Sequence, residues 1–386
     1  VTSLDAARAT AHELGRHHRT AGLRVSLRDA VGCVLAEDVV ARAAVPGADT
    51  SAMDGWVVRG PGPWRVEGTV RMGRAPGSPL APGTARAVTT GAALPAGASG
   101  VLRSEHARRL GDTLLCTGEH APAPFADIRR AGEEMQPGEV LAVAGERVTP
   151  ALAAAAAVAG LDELRVRRPP RVALVVLGDE LVSSGVPAPG QTRDALGVAL
   201  PAALAQRRAE VVEVVHAVDQ LDAVCAALER GGVELLVTTG GTGHGRGDLL
   251  VPALERAGGR LVLRGIDMRP GHPTVLAHLG ATPLLGLPGN PFAAIAALLA
   301  VGFPLLAGML GEACPAPVPQ PLAQSIAGAA AGTRVVAARH SSEGLVPVQR
   351  QSAAMVRGLV HADALALVGC GGAVAGDLVD TLPLGW

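Results

Sequence analysis

The sequence predicts a multidomain α/β protein built around a doubly wound, mainly parallel sheet, and three observations carry that prediction. Residues 171–310 alternate between short apolar, β-branched runs and helical segments, the order that buries a parallel sheet between helices. The stretch 34–124 is rich in Gly and Pro around short apolar runs, and 322–386 holds further short alternating runs. Both read as small β-rich units. With 386 residues, the chain is long enough for more than one domain.

Taken in order, the first element is a helix over 2–20. Leu4, Ala7, Ala11 and Leu14 form its apolar stripe, and Thr2 and Asp5 stand at capping-box spacing. The β-rich stretch follows, with apolar runs at 64–66 and 101–102. A helix of mostly Ala spans 149–160, opened by Thr149 as N-cap and Pro150 in the first turn. The central segment then gives strands at 171–177, 210–215, 234–239, 260–263 and 283–287. Its helices fall at 194–208, 221–229, 248–257 and 291–310. Residues 314–321 read as a Pro-rich linker. Beyond it, runs at 334–337, 345–348 and 364–368 read as strands.

Composition narrows the function. Hydrophobic residues make up 48 % but aromatic ones only 2 %, with no Tyr, so the core is built from Ala, Val and Leu. The net charge of −1 leaves no broad basic surface, which excludes nucleic acid as the expected partner. No Lys occurs, so all 34 fixed cations are Arg, a side chain that binds oxyanions but does not shuttle protons. Five dispersed Cys without a Cys-x-x-Cys pair read as reduced thiols of a cytoplasmic protein. The N-terminal segment carries charges within its helical pattern and has no apolar run of signal-peptide type. Residues 281–311 carry no charge, and the bilayer core takes roughly 20 apolar residues to cross. Pro304, Gly302 and Gly308 interrupt that stretch and no basic cluster flanks it, so it reads as a buried helix with no membrane partner.

Three loops at the ends of predicted strands have the composition of an anion or metal site, and ligands of such sheets bind beyond the carboxyl ends of the strands. The first is Gly178-Asp179-Glu180. Two adjacent carboxylates there cannot both enter the core unpaired, and Mg²⁺ prefers carboxylates together with phosphate oxygens; a solvated strand end is the plainer alternative. The second runs from Thr239 through Gly240, Gly241, His244 and Arg246 to Asp248. A Gly-rich loop entering a helix exposes N–H groups to phosphate, although Asp248 is also placed to cap that helix. No Lys follows and no Gly-x-Gly-x-x-Gly register fits, which removes the P-loop and dinucleotide fingerprints. The third pairs Met268-Arg269-Pro270-Gly271-His272-Pro273 with Pro288-Gly289-Asn290-Pro291. Arg269 supplies a planar cation, Asn290 can cap the following helix, and Pro291 can occupy its first turn. In the β-rich stretch, Ser51-Ala52-Met53-Asp54-Gly55 and Thr89-Thr90-Gly91-Ala92 read, taken alone, as an ordinary turn and strand end.

Together and in this order, these strings resemble the MoeA family, which includes the gephyrin E domain. The family's Ser-Ala-Met-Asp-Gly, Thr-Gly-Ala, Gly-Asp-Glu-Leu, Gly-Gly…Asp, Met-x-Pro-Gly-x-Pro and Leu-Pro-Gly-Asn-Pro are residues 51–55, 90–92, 178–181, 240–248, 268–273 and 287–291. The segment from Gln351-Ser352 to Leu367 is similar to part of its last domain. The resemblance implies a split helical domain (1–45 plus 125–168), an inserted β-domain (46–124), an α/β domain (169–313) and a C-terminal β-barrel-like domain (320–386). It further implies an elongated homodimer that takes adenylylated molybdopterin and molybdate and, with Mg²⁺, releases AMP as molybdenum joins the dithiolene. Carried over to this chain, Asp54, Thr90, Glu180 and Asp248 would be catalytic, with Glu180 and Asp248 at the metal. Gly91, Asp219, Gly240, Gly241, Arg269, His272 and the turn Pro288, Gly289, Asn290, Pro291 would bind substrate, and Asp54 and Thr90 would reach the cleft from the partner subunit. The chain departs from the family's usual Lys at both variable places of the 268–273 turn, from its Arg-Gly-Glu-Asp at 131–134 and from its Asp-Ser-Asn at 194–196. These departures motivate a second reading, a non-catalytic paralogue that binds or carries the pterin or the finished cofactor.

Overall fold

A six-stranded sheet organises the protein, with strands in the order Glu210–Ala217, Arg171–Leu177, Leu235–Thr239, Thr282–Leu287, Val275–Leu279 and Arg260–Arg264. The computed structural model describes residues 1–118, 121–243, 245 and 247–386. The first four strands pair in parallel, and Val275–Leu279 runs antiparallel to both of its neighbours. Side chains of the strand Arg171–Leu177 alternate between two apolar layers. Val172, Leu174 and Val176 join Leu200, Leu204, Phe292 and Leu305 on one face. Ala173, Val175 and Leu177 join Val224, Leu228, Leu250 and Leu254 on the other. A strand covered on both faces must be apolar at every position, which is why this run carries no inside–outside alternation. The sequence reading missed the strand Val275–Leu279. It forms a hairpin with Thr282–Leu287 across Gly280-Ala281, so the last two runs are one antiparallel pair rather than a single strand.

Most of the uncharged stretch is the helix Pro291–Leu310, and it is buried from Phe292 to Leu310. It is α-helical over Pro291–Ala297 and Phe303–Leu310 with a π-helical turn, Leu298–Gly302, between them, the kind of insertion that takes up an interior proline such as Pro304. The N-terminal helix Leu4–His17 lies directly on it. A Cβ at Gly308 would fall 2.2 Å from the carbonyl of His12, and one at Gly15 would fall 2.0 Å from that of Leu305, so backbones touch where any side chain would hold them apart.

That contact places the first helix, and its cap differs from the expectation. Leu4, Ala7, Ala11 and Leu14 of this helix bury into the α/β layer. Its N-cap is Ser3, whose hydroxyl accepts from Ala6 N, not Thr2; Thr2 instead extends toward Ile266, and Asp267 N donates to its carbonyl. The remainder of the split unit has its own core around Leu35, Val148 and Leu164 and is helical only in part. Its helix Pro150–Val158 is capped by Thr149, but Gly22–Ser26 pairs with Glu163–Arg167 and Val39–Val40 with Val140–Ala142.

The inserted region forms a second six-stranded sheet around Val57, Trp64 and Leu114. The C-terminal strands wind around Leu322, Val336 and Leu345 and close on themselves, because Ala323 N donates to Leu345 O after the edge strand Val318–Pro321. The second half of the expected linker is therefore that strand. Met268–Arg269 pairs in parallel with Thr333-Arg334, which fastens the C-terminal unit to the α/β unit beside one of the predicted loops.

Candidate active site

The carboxyl ends of the parallel strands open into a cleft of about 520 Å³. Of the predicted residues, Glu180, Asp219, Gly240, Gly241, Asp248 and all four of the Pro288–Pro291 turn line it. The strand topology explains the convergence: parallel neighbours end on the same side, so loops far apart in sequence meet above one edge. Asp179 and Asp219 clamp two of those loops. Asp219 N donates to Asp179 Oδ1 at 2.8 Å, and Asp179 N donates to Asp219 Oδ2 at 3.4 Å. Burial raises the Asp219 carboxyl above its ordinary value, and the charges of Asp179, Glu180 and Asp248 push the same way, against the one N–H it accepts. Arg193 is the cation that lines the cleft among the described residues, and it donates to Val182 O.

The Gly-rich loop adopts left-handed backbone at Gly240 and Gly241, with φ of 86° and 63°, a conformation that favours Gly. His244 and Arg246 lie outside the described residues. Asp248 does not cap the following helix, which begins at Leu250 with Leu249 in the cap position. Its carboxylate instead accepts from Gly243 N at 2.9 Å and Gly245 N at 2.6 Å, folding the loop around the acid. Asn290 occupies the N-cap position of its helix, but its side chain makes no capping bond; it borders the cleft instead. Pro291 takes the first turn, as expected.

The donor set suits Mg²⁺ bound with a phosphorylated ligand. Among the described residues no group of three His, Cys, Asp or Glu forms a cage that holds an ion alone. Mg²⁺ ordinarily uses one or two carboxylates plus phosphate oxygens and water, and Glu180 and Asp248, which both line a net acidic cleft, would supply that number.

Arg269 and His272 do not line this cleft. They line a second one, of about 620 Å³, which shares Pro273, Pro288 and Asn290 with the first. Its far wall comes from the C-terminal unit: Gly328, Arg334, Gln351 and Ser352. Its lining carries the guanidinium groups of Arg269 and Arg334 and the imidazole of His272, with no carboxylate among the described residues. Gln351 holds that wall in place, since Ala337 N donates to its Oε1 at 2.7 Å. The sequence reading singled out Arg269 and His272 but not Arg334 or Ser352. Ser352 was visible only as part of a resembling segment, and Arg334 only through its pairing with Arg269.

Asp54, Thr90 and Gly91 stand apart from both clefts, exposed on the inserted sheet. They form a unit all the same. Asp54 Oδ1 accepts from Thr90 N at 2.7 Å and from Thr90 Oγ1 at 3.0 Å, and these bonds hold the Asp54 carboxyl below the usual carboxylate range. A further pair went unread. Asp194, buried and lining the first cleft, accepts from Gly197 N at 2.8 Å and lies 3.0 Å from His216 Nε2.

Known proteins agree with this architecture. Residues 2–160 match the profile of the MoeA N-terminal region (domain I and II), and 173–308 that of a probable molybdopterin binding domain. A solved molybdopterin biosynthesis MoeA protein from Pyrococcus horikosii superposes with a TM-score of 0.85 at 25 % identity, covering 100 % of both chains. Molybdopterin molybdenumtransferase 2 of Mycobacterium tuberculosis is 34 % identical over 71 % of either chain. The molybdopterin molybdenumtransferase of Synechococcus elongatus is 31 % identical over 90 % of either chain. With that identity sustained over nine-tenths of its length, the chain belongs to the MoeA family of molybdopterin molybdenumtransferases.

Proposed function

We propose that this chain inserts molybdenum from molybdate into adenylylated molybdopterin, with release of AMP and a requirement for Mg²⁺, as a cytoplasmic step of molybdenum cofactor biosynthesis. One observation carries the reading: an acidic cleft at the strand ends shares a wall with a cationic, acid-free cleft at the domain junction. The two suit the two halves of the reaction. A phosphoanhydride fits where Gly240 and Gly241 bring backbone close to the ligand and where Glu180 and Asp248 would hold Mg²⁺. The metal there would neutralise charge on the phosphate oxygens as the bond to AMP breaks. The oxyanion fits beside Arg269 and Arg334, whose N–H groups suit tetrahedral oxygens. Pro273, Pro288 and Asn290 border both, so the two ligands would meet across the Pro288–Pro291 turn.

The catalytic role read for Asp54 and Thr90 goes with a homodimer. Neither reaches a cleft of its own chain, and both are held in a fixed, exposed arrangement on the inserted sheet. In a dimer that sets this sheet against the partner's α/β unit, they and Gly91 would complete the first cleft. A sedimentation experiment that finds only monomer at assay concentrations removes this part of the reading.

The test is direct. Purified protein given adenylylated molybdopterin and molybdate is expected to release AMP and yield finished cofactor, and to stop when Mg²⁺ is chelated. Tight binding of the pterin without AMP release would favour the carrier reading and overturn this one.

A further inference from the structure

We infer that oxyanion binding in the cationic cleft is coupled to the uptake of one proton at His272. The inference rests on the assignment of that cleft to an oxyanion and concerns how the same site is regulated.

The geometry begins at the far side of the ring. His272 Nδ1 lies 2.7 Å from the carbonyl oxygen of Ile266. A carbonyl has no proton to give, so Nδ1 carries one in every state that keeps this bond. The tautomer is thereby fixed, and Nε2 alone can change. Among the described residues Nε2 makes no hydrogen bond; the ring packs beside Gly265, and His272 lines the cleft.

In its neutral form the ring has a lone pair at Nε2 and no donor to offer an anion in the cleft. An oxyanion's oxygens are acceptors too, so the two repel and no bond forms. Once Nε2 gains a proton, the ring offers a donor and a positive charge, and the bond becomes a charge-assisted one. Each other element of the cleft leaves this choice to His272. Arg269, on the same turn, and Arg334, on the strand Thr333–Ser341, are cationic at every working pH. Arg334 already spends one N–H on Ala327 O at 2.7 Å. Asn290, at the start of the buried helix, and Gln351 and Ser352, from the C-terminal unit, do not titrate. No Asp or Glu among the described residues lines the cleft; Asp267, the carboxylate next to Ile266 in the chain, sets its oxygens against Gly332 and not in that lining. Imidazole is the side chain whose charge changes in the physiological range. An anion that binds the protonated form better must draw a proton in, and by linkage its affinity must fall as pH rises.

The experiment is calorimetric titration of sulfate and of molybdate into the full chain between about pH 6 and 9, in buffers of different ionisation enthalpy. Sulfate keeps both charges across this range, so any change in its affinity reports the protein. For the unaltered protein, affinity is expected to fall toward about tenfold per pH unit on the alkaline side, with close to one proton taken up per anion. His272→Gln can keep the bond to Ile266 O but cannot charge; its binding is expected to be weak and flat with pH. His272→Lys stays charged, and its binding is expected to be tight and flat up to about pH 9. A wild-type affinity that does not change with pH overturns the inference, as does a slope that survives in His272→Gln. The underlying assignment has its own control. If Arg269→Ala and Arg334→Ala leave both affinities unchanged, or neither anion binds at all, the oxyanion cleft itself is wrong. If the arginine variants weaken binding and the slope is absent, only the proton coupling fails.

Discussion

The guanidinium of Arg8 donates from Nη1 to the carbonyl of Ala300 at 3.1 Å. Ala300 is the residue whose carbonyl a helical N–H at position 304 would serve, and position 304 is Pro. Arg8 also donates to Pro315 O. The side chain is 5 % exposed, and burial pushes its pKa below the ordinary guanidinium value, yet it stays charged. One arginine thus ties the N-terminal helix, the buried proline helix and the approach to the C-terminal unit. Arg8→Met removes charge-assisted bonds from a buried place and is expected to cost about 2–4 kcal/mol, read by urea unfolding. A loss within about 0.5 kcal/mol, the usual surface effect, would show that water serves those carbonyls equally well.

Gly308 and Gly15 make the same interface from the backbone side. Either residue changed to Ala meets a carbonyl oxygen well inside contact distance, and neither helix can shift without opening the core beneath. Destabilisation by roughly 1–3 kcal/mol or more is expected from overpacking alone. An unchanged melting temperature in both variants would place the helices farther apart than described.

Asp248 holds its loop through two backbone N–H bonds and does not begin the helix. Asp248→Ala is expected to reduce AMP release by about 100-fold or more, with far-ultraviolet circular dichroism unchanged. Full activity in that variant removes Asp248 from the site.

Asp54 and Thr90 give a pH signature. Hydrogen bonds from Thr90 lower the Asp54 carboxyl in the folded chain. The stability this adds is therefore present above the unfolded-state pKa and disappears as pH falls through the lower folded one. Thr90→Val removes the hydroxyl donor and leaves the backbone one, so the Asp54 titration should move up but not fully recover. Carboxyl-carbon NMR of both proteins reads this; coincident curves would show that the hydroxyl bond is absent in solution.

Asp219 has the opposite sign. Its folded-state carboxyl is raised by burial and by three neighbouring carboxylates. The group therefore costs stability above its folded value, and acidification through that value relieves the cost. At neutral pH, Asp219→Asn is expected to raise the melting temperature slightly, and Mg²⁺ to stabilise the unaltered protein more than the variant. A lowered melting temperature in Asp219→Asn would mean that the Asp179 clamp outweighs the charge repulsion.

Much of the fold was legible because burial on both faces leaves a direct trace: the strand Arg171–Leu177 has no polar position after Arg171. Val275–Leu279 escaped because its five residues fall between a turn and an equally apolar neighbour, and periodicity does not show where one short run ends and its hairpin partner begins. Capping was misread at Thr2, Asp248 and Asn290 for a related reason. A polar side chain beside a helix start has several N–H groups within reach, and tertiary contacts choose among them. The site divides in the same way. Glu180, Asp248 and the Pro288–Pro291 turn announced themselves as polar or Gly–Pro loops after apolar runs, whereas Arg334 and the Asp194–His216 pair carry no local pattern.

The sequence by itself determined the alternation of parallel strands and helices in the α/β unit, the Ala- and Val-built core and the acidic and Gly-rich loops at the strand ends, because these follow from residue type and short-range spacing. Tertiary structure alone decided that the predicted loops divide between two clefts with a common wall, that the first helix belongs to the α/β layer, and that Asp54 and Thr90 lie beyond both clefts. Those outcomes depend on contacts between residues tens to hundreds of positions apart, such as Arg269 beside Arg334 and Arg8 on Ala300, and no local stretch of chain encodes which distant surface it will meet.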